Sequence, residues 1–292
     1  MRAEDAGEFE AHRRTLEGLA YRMCGVLADA QDIVQETHVR WCAADRAVIR
    51  EPRSWLMTVC SRLAVDAMKS ARARREEYVG IWLPEPFVES AEGDPSAKAQ
   101  LDESVSIALM VAMETLTPAE RAAFLLHDVF GYAFGEVSNM LGKSEPTCRK
   151  LASRARTRVR RERPRRDADP QQHRRLLGAF FEAAHAGEFE RLEMLLSESV
   201  ELHSDGGGRV PTAPDVLRGP EAVSAFFARI WRQQVPSRRS VQLDEEWFNG
   251  TPGILIRQRG RVIAAIGLAV EDGLIDRIFA VRNPEKLTRF ES

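Results

Sequence analysis

The sequence is poor in cysteine, in long apolar runs and in net charge of either sign. It has four cysteines and no C-x-x-C pair, so we predict reduced, buried thiols rather than a disulfide framework or a zinc site; they are Cys24, Cys42, Cys60 and Cys148. No run approaches the roughly 18 apolar residues that a membrane span needs. The charged start of the chain, residues 1–5 (MRAED), has no apolar core behind it, so we expect no signal peptide. We therefore expect a cytoplasmic protein that makes no membrane contact and needs neither a metal nor another cofactor.

The length of 292 residues exceeds one typical domain, and the residue pattern changes along the chain. Helical spacing of apolar residues over 1–76 and again over 101–164 predicts two all-α domains. Residues 77–100 contain closely spaced prolines and predict an extended linker. Short strand-like runs after residue 171 predict an α+β domain over 171–292. The net charge of −2 says nothing about nucleic acid, so charge has to be examined locally.

Local signals predict where several helices and strands begin and end. Asp29 is expected to cap a helix, and Pro52 suits the first turn of the next one. The segment 117–120 (TPAE) has the pattern of a capping box. Asp272-Gly273 indicates a hairpin. In the last domain we expect helices at 173–185, 190–196 and 221–231, and strands at 200–203, 240–248, 253–258, 262–270 and 274–281.

Residues 134–160 have the length and composition of a helix-turn-helix. A short helix over 134–141 is followed by a turn at Gly142 and by a helix from Glu145 to about Arg160. The second helix is basic on one side and apolar on the other, at Cys148, Leu151, Ala152 and Ala155. A reader of the major groove needs one face packed on its domain and the other facing phosphates and base edges. A solvated basic helix is the plainer alternative.

The first helical domain contains an acidic helix and a basic helix end. Asp29, Asp32 and Glu36 lie on one helix, and residues 69–75 (KSARARR) follow a stretch of aromatic and apolar residues. The basic end is a second candidate for nucleic-acid binding. Capping and simple solvation explain the acidic residues equally well.

The order of these motifs resembles the extracytoplasmic-function (ECF) sigma factors. The matching residues are 29–37 (DAQDIVQET), Trp55-Leu56 with Asp66 eleven residues after Trp55, and the helix-turn-helix. Three more motifs resemble the subgroup that carries a fused SnoaL-like domain: 80–86 (GIWLPEP), 205–209 (DGGGR) and 283–287 (NPEKL). The resemblance covers nearly the whole chain and implies a cone-shaped α+β fold for the last domain.

This resemblance implies that the protein directs core RNA polymerase to promoter DNA. The residues implied at the −10 element are Arg62, Asp66, Lys69, Arg72, Arg74 and Arg75. Those implied at the −35 element are Thr147, Arg149, Lys150, Ser153, Arg154 and Arg156. The polymerase clamp would bind Asp29, Asp32, Gln35, Glu36 and Trp41. Many family members have asparagine at the place of Arg62, and an arginine can still stack on or hydrogen-bond to a base.

The resemblance also implies regulation by the fused domain, without a separate membrane anti-sigma factor. The third domain is expected to pack against the linker and to bias the spacing of the two DNA-binding domains. We interpret the glycines after Asp205 as a flexible loop with exposed amides, suited to contact a partner. The residues expected to take part are Trp82, Leu83, Pro84, Glu85, Pro86, Asp205, Gly206, Gly207, Gly208, Arg209, Asn283 and Pro284.

Three alternatives stay open. Relatives of the SnoaL-like fold include polyketide cyclases, and an enzyme would use Asp205, His203 or His185 as an acid or base. We expect no enzyme, because a base in a flexible loop is poorly fixed and because His203 suits a partly buried structural role. An unidentified small ligand in the cone would modulate the domain contacts. A DNA-binding regulator with a ligand-sensing C-terminal domain would bind promoters without replacing sigma.

Overall fold

A computed structural model describes residues 3–87, 106–162, 170–234 and 241–290. The chain divides into two compact units, one made of residues 1–77 and 110–162 and the other of residues 78–109 and 163–292. The two predicted helical domains therefore share one unit, and the linker is grouped with the last domain. The finer division into three domains and a linker stays a prediction.

The first unit is helical. Helices α1, α2 and α3 pack on one another around buried side chains that include Phe9, Tyr21 and Trp41. Helices α5, α6 and α7 form a second packed group, and α5 and α6 also contact α3. The helices are α1 (Ala3–Cys24), α2 (Leu27–Ala43), α3 (Pro52–Glu76), α4 (Ile107–Met113), α5 (Pro118–Phe124), α6 (Phe134–Leu141) and α7 (Glu145–Glu162).

The helix starts agree with the local signals at two positions and disagree at one. Pro52 opens α3, and Thr117 and Glu120 form the predicted capping box at the start of α5. The prediction that Asp29 caps α2 is wrong, because this helix begins at Leu27 after Val26. Asp29 lies in the first turn instead, where the positive end of the helix dipole favours a carboxylate.

Three of the four thiols are buried as predicted, and burial raises the pKa of Cys24 and of Cys60 to about 12. The prediction is wrong for Cys42, which is exposed on α2. A thiol on the outer face of a helix has no apolar neighbours that would exclude water.

Glycines end the two helices that precede α7. After α5 the chain continues as a π-helical turn (Leu125–Val129), and Gly131 follows with a φ of +74°. Gly142 ends α6 with a φ of +61°, a left-handed conformation that glycine adopts without steric cost. The predicted helix-turn-helix is therefore present as α6, the turn at Gly142 and α7.

The second unit contains a six-stranded mixed sheet with helices packed on one face. Strand order is β2-β1-β6-β5-β4-β3; β1 and β6 are parallel and every other neighbouring pair is antiparallel. The helices are α8 (Pro170–Ala186), α9 (Phe189–Glu193) and α10 (Pro220–Gln234). The strands are β1 (Leu196–Asp205), β2 (Leu217–Arg218), β3 (Val241–Phe248), β4 (Thr251–Gln258), β5 (Arg261–Glu271) and β6 (Leu274–Val281).

These bounds confirm the predicted α+β fold and correct it in detail. Asp272 and Gly273 both have positive φ and join β5 to β6 as the predicted hairpin. The helix expected over 190–196 is shorter, because Leu196 already pairs with Ile275 in the sheet. Helices α8 and α10 pack on the sheet through a common core, as expected for an α+β domain.

Strand β1 has two functionally different faces. Val200, Leu202 and Ser204 are buried on the side of the helices, and Glu201 and His203 alternate with them on the other side. Asp205 lies at the end of β1 on that second side. Across the described ranges, no helix is long and apolar enough to cross a membrane.

Replacing Thr117 with alanine is expected to lower the free energy of unfolding by about 1 kcal/mol. The amide of Glu120 would lose the hydroxyl that accepts its hydrogen bond at 3.3 Å. Urea unfolding followed by circular dichroism measures the change. Thr157→Ala, which removes an exposed hydroxyl in the middle of α7, is the control and should have a smaller effect. An equal cost for both variants contradicts the capping role.

Candidate DNA, polymerase and linker surfaces

Helix α7 presents a packed face and a solvent face, as its sequence predicts. Cys148, Ala152, Ala155 and Val159 are buried, and Leu151 is half-buried. The exposed residues of the opposite face include Thr147, Arg149, Lys150, Ser153 and Arg154. The face predicted to meet the −35 element is therefore accessible.

The cations of this face differ in how far they are already neutralised. Arg149 binds Glu145 at 2.5 Å and lies 4.7 Å from the centre of the Phe134 ring. Half-buried Arg156 binds Asp128 at 2.6 Å. Among the residues that the structure describes, Lys150 and Arg154 have no ion-pair partner. These two keep their full charge for an anionic surface such as a phosphate backbone.

Arg62 lies on α3 but contacts the helix-turn-helix. Its Nε donates to the Met140 carbonyl at 2.8 Å and its Nη2 to the Asn139 carbonyl at 3.0 Å. Carbonyls in the last turn of a helix lack intrahelical partners and carry a partial negative charge, so a guanidinium suits them. In this conformation Arg62 joins the two helical segments of the first unit.

The other residues predicted at the −10 element divide into two groups. Asp66 and Lys69 are exposed and bind each other at 2.7 Å. Arg75 is not accessible to DNA in this structure, because its guanidinium is mostly buried and donates to Glu114 and to the Cys24 carbonyl. Arg72 and Arg74 belong to α3, and their side chains lie outside the described part of the structure.

The network around Arg75 is an unpredicted link between the two helical segments. Arg121 is fully buried, binds Glu114 at 2.5 Å and donates to the Arg22 carbonyl at 2.8 Å. Glu114 therefore accepts from two guanidinium groups. Burying this charge is tolerated because each ion has an oppositely charged partner.

The acidic face of α2 is exposed at Asp32, Gln35 and Glu36, and Asp29 is half-buried. Glu36 also binds Arg40 at 2.9 Å. Trp41, in contrast, is only 1% exposed and packs against Trp55 with ring centres 5.4 Å apart. The prediction that Trp41 belongs to a polymerase-binding surface is therefore wrong, because the residue is part of the core.

In the second unit the linker is fastened to the last domain by the Asp205 carboxylate. This fully buried group accepts the Tyr78 hydroxyl at 2.6 Å, the Leu83 amide at 2.9 Å and the Lys286 ammonium at 2.7 Å. The Gly207 amide adds a bond within the loop at 3.0 Å. We call Tyr78, Leu83, Asp205, Asn283 and Lys286 the linker clamp.

Lys286 makes further contacts in the linker clamp besides its ion pair with Asp205. Its ammonium donates to the Leu83 carbonyl at 2.5 Å and lies 4.3 Å from the centre of the Trp82 ring and 5.0 Å from that of Tyr78. Aromatic faces attract a cation of this kind. Carboxylate, carbonyl and rings together replace the water that a buried ammonium loses.

Tyr78 is a fixed donor within the clamp. Asn283 donates to its hydroxyl at 2.9 Å while that hydroxyl donates to Asp205. Burial, and then the neighbouring Asp205 carboxylate, raises the pKa of Tyr78 above its usual value. The phenol therefore stays protonated and keeps its bond to Asp205 at physiological pH.

The glycines after Asp205 allow the linker to approach closely. A Cβ on Gly207 would lie 2.4 Å from Asn283 Nδ2, and one on Gly208 would lie 3.1 Å from the Val79 Cβ. A Cβ on Gly206 would meet the Val210 carbonyl at 2.3 Å. The interpretation of Asp205 as part of a flexible, exposed loop is therefore wrong, because its carboxylate is buried and fixed by several donors.

The remaining motif residues lie around the clamp. Leu83, Pro84 and Pro86 are buried, whereas Glu85 is half-buried. Arg209 binds Glu285 at 2.7 Å in an exposed pair. Asn283 caps the short turn that Pro284 opens.

Tyr78, Lys286 and a second linker contact were not predicted from the sequence. Phe87 and Asn249 exchange two hydrogen bonds, of 2.8 and 3.0 Å. Asn249 has a φ of +50° in the turn between β3 and β4, and an Asn-Gly dipeptide in the sequence is the signal that indicates such a turn. Nothing in the sequence pairs it with Phe87.

The three candidate catalytic residues do not form one site. Asp205 faces the linker, and His203 binds Glu201 at 2.9 Å on the outer side of β1. Burial lowers the pKa of His203, which suits the predicted structural role. His185 lines a cavity on the other side of the sheet. Among the described residues no group of three or more metal-ligating side chains could hold an ion.

Comparison with known proteins agrees with this arrangement along the whole chain. The family model for Sigma-70 region 2 matches residues 9–74, and that for Sigma-70, region 4 matches residues 106–159. The ECF RNA polymerase sigma factor SigJ of Mycobacterium tuberculosis is 38% identical over 97% of this chain and 93% of its own length. The chain belongs to the ECF sigma factors.

Other relatives support the same assignment. A probable ECF sigma factor of M. tuberculosis, SigI, is 33% identical over 96% of this chain and 93% of its own. The crystal structure of M. tuberculosis SigJ has a TM-score of 0.78 at 37% identity and covers 97% of this chain and 98% of its own. As a sigma factor, the protein binds core RNA polymerase and directs it to promoter DNA to initiate transcription.

Replacing Gly207 with alanine is expected to destabilise the second unit, because the added methyl meets Asn283 and the φ of +59° strains any side chain. Gly260→Ala is a matched control, since this glycine has a φ of +80° but open space around it. Differential scanning calorimetry should show a cost for Gly207→Ala that exceeds that of the control by about 1–3 kcal/mol. Equal costs would show that the close approach of the linker is not required.

Proposed function

We propose that this sigma factor is regulated by its own C-terminal domain, which holds the linker between regions 2 and 4 through the linker clamp. The observation that carries the proposal is the buried Asp205 carboxylate. It receives two donors from the linker, Tyr78 and Leu83, and one from the end of the chain, Lys286.

Fixing the linker would affect promoter binding, because regions 2 and 4 contact separate DNA elements and the linker connects them. In the first unit these regions are joined by Arg62 and by the network around Glu114. To span a promoter they have to move apart, and residues 78–87 have to follow. The linker clamp and the contacts of Arg62 therefore favour a compact form over the polymerase-bound form, and this is a shift of population between two states.

We assign the −35 element to the exposed face of α7. Lys150 and Arg154 are exposed cations that form no ion pair among the described residues, while Thr147, Arg149 and Ser153 complete the accessible face. Arg156 supports the helix through Asp128. For the −10 strand we retain Arg62, Asp66 and Lys69, and for the polymerase clamp the exposed acidic face of α2.

We further propose that the protein acts in the cytoplasm beside the polymerase and that its C-terminal domain is not an enzyme. A general base needs an accessible carboxylate or imidazole next to the reacting group. The oxygens of Asp205 are already occupied by four donors, and His203 is bound to Glu201. Neither residue shares a pocket with His185.

Replacing Lys150 with alanine should weaken holoenzyme binding to promoter DNA. It should also make the negative slope of log affinity against log salt shallower by about 0.9, the contribution of one phosphate contact. Fluorescence anisotropy with a labelled promoter duplex at several salt concentrations measures both effects. Arg174→Ala removes an exposed, paired cation from the last domain and should change neither. An unchanged salt slope for Lys150→Ala would exclude a phosphate contact at this residue.

Release of the linker clamp should raise transcription from a promoter mapped with this holoenzyme. Tyr78→Phe removes one hydroxyl that contacts both Asp205 and Asn283, and Lys286→Met removes the ammonium; each should increase output several-fold at equal protein concentration. Arg191→Gln, which breaks only exposed pairs with Glu182 and Glu188, is the control and should leave output unchanged.

Tyr78→Phe distinguishes a loss of regulation from simple misfolding. Tyr78→Phe keeps the ring and should fold normally by circular dichroism, whereas Lys286→Met leaves a buried carboxylate without its cation. If Tyr78→Phe folds and its output equals that of the wild type, the clamp does not regulate transcription.

A further inference from the structure

The last domain contains a partly open cavity of about 160 Å³ between helices α8 and α10 and the sheet. Its lining is mostly apolar and includes Phe180, Phe227 and Ile256. An engineered protein cavity of about 150 Å³ with such a lining stays dry and binds benzene. The volume therefore fits one six-membered ring or an aliphatic group of the same bulk.

One polar group in this cavity lacks a partner. Ser204 lies on the helix-facing side of β1, is only 1% exposed and lines the cavity. Among the residues that the structure describes, none hydrogen-bonds to its hydroxyl. A hydroxyl that faces the cavity can donate a hydrogen bond to an acceptor that a bound molecule brings.

A cationic side chain, Arg282, also lines this cavity. Arg282 follows β6, lines the cavity and donates from Nη1 to the Pro211 carbonyl at 2.6 Å. Arg282 is half-buried, and burial lowers the pKa of its guanidinium. In the described ranges no carboxylate forms an ion pair with it. A carboxylate of a bound molecule would supply both the missing charge and a second acceptor.

We propose that this cavity binds a compact apolar carboxylate, whose ring or branched chain fills the space between the helices while its carboxylate meets Ser204 and Arg282. The apolar part contributes by leaving water. The carboxylate sets the orientation and excludes uncharged molecules of the same shape. A monocyclic aryl-acetic or aryl-carboxylic acid has these dimensions.

The site shares its wall with the linker clamp. Ser204 precedes Asp205, and Arg282 precedes Asn283; successive residues of extended chain face opposite sides. The amides of Arg282 and Asn283 both donate to the Asp205 carbonyl, at 2.7 and 2.9 Å. A molecule that fixes Ser204 and Arg282 on one side therefore favours the clamped arrangement on the other. This second step rests on the proposed function and makes the ligand an inhibitor of promoter output.

The binding step is tested with the full-length protein and phenylacetate, by isothermal titration calorimetry and by thermal unfolding. Phenylacetate should bind and raise the unfolding temperature, whereas acetate, which lacks the ring, should do neither. Arg282→Met should weaken phenylacetate at least tenfold and leave binding of toluene unchanged. Ser204→Ala should weaken it several-fold.

Two further variants locate the site. Ala184→Met adds bulk to the cavity wall and should abolish binding of both phenylacetate and toluene. Arg261→Met removes an exposed cation elsewhere in the domain and should have no effect. Absence of binding of both compounds at millimolar concentration, or binding that survives Ala184→Met, overturns the site. Binding that is unaffected by Arg282→Met overturns the carboxylate assignment.

The coupling step has its own readout. Phenylacetate should lower transcription by the wild-type holoenzyme and should have a smaller effect with Tyr78→Phe. Binding without any effect on transcription overturns the coupling and leaves the site standing. If Tyr78→Phe itself does not alter transcription, the proposed regulation fails while the calorimetric result is unaffected.

Discussion

A carboxylate that is buried away from water needs hydrogen-bond donors and a cation from the protein to compensate its charge. In this molecule that carboxylate is Asp205. It is fully buried, and its four donors restrict three separate parts of the chain: the linker through Tyr78 and Leu83, the loop through Gly207, and the end of the chain through Lys286. Loss of any one donor leaves a charge that the others compensate less well. Linker, glycine loop and C-terminal turn therefore hold their places together, although they are far apart in sequence.

The last domain uses the two sides of its sheet for different purposes. Its helices pack on one side and enclose the apolar cavity, while the other side of β1 and the end of β6 receive the linker. The alternation of side chains along a strand makes this separation possible with neighbouring residues, such as Ser204 and Asp205. The domain can therefore hold the linker without any change to its core, because the residues that contact the linker lie on the side of the sheet opposite the helices.

Much of the architecture was predictable from local chemistry, and the corrections share one physical cause. The amphipathic face of α7, the capping box at Thr117, the turn at Gly142 and the Asp272-Gly273 hairpin each depend on a few consecutive residues. The resemblance of the motifs predicted the family and singled out Asp205 and Asn283 as residues of interest. Whether a side chain is exposed, however, depends on partners from distant segments. Trp41 is buried by Trp55, and Arg75 by Glu114, so both were assigned to surfaces they do not reach.

With Arg62 assigned to the −10 strand, as proposed, its contacts in this structure bear on how a promoter would be opened. Its Nε and Nη2 groups already donate hydrogen bonds to the Met140 and Asn139 carbonyls and are therefore not available to DNA in this conformation. Any unpaired nucleotide that uses this guanidinium has to compete with a helix terminus for it, and wins only when the helix-turn-helix leaves. Strand capture and domain separation then become one event, and weak promoter sequences meet a threshold that an uncommitted side chain would not impose.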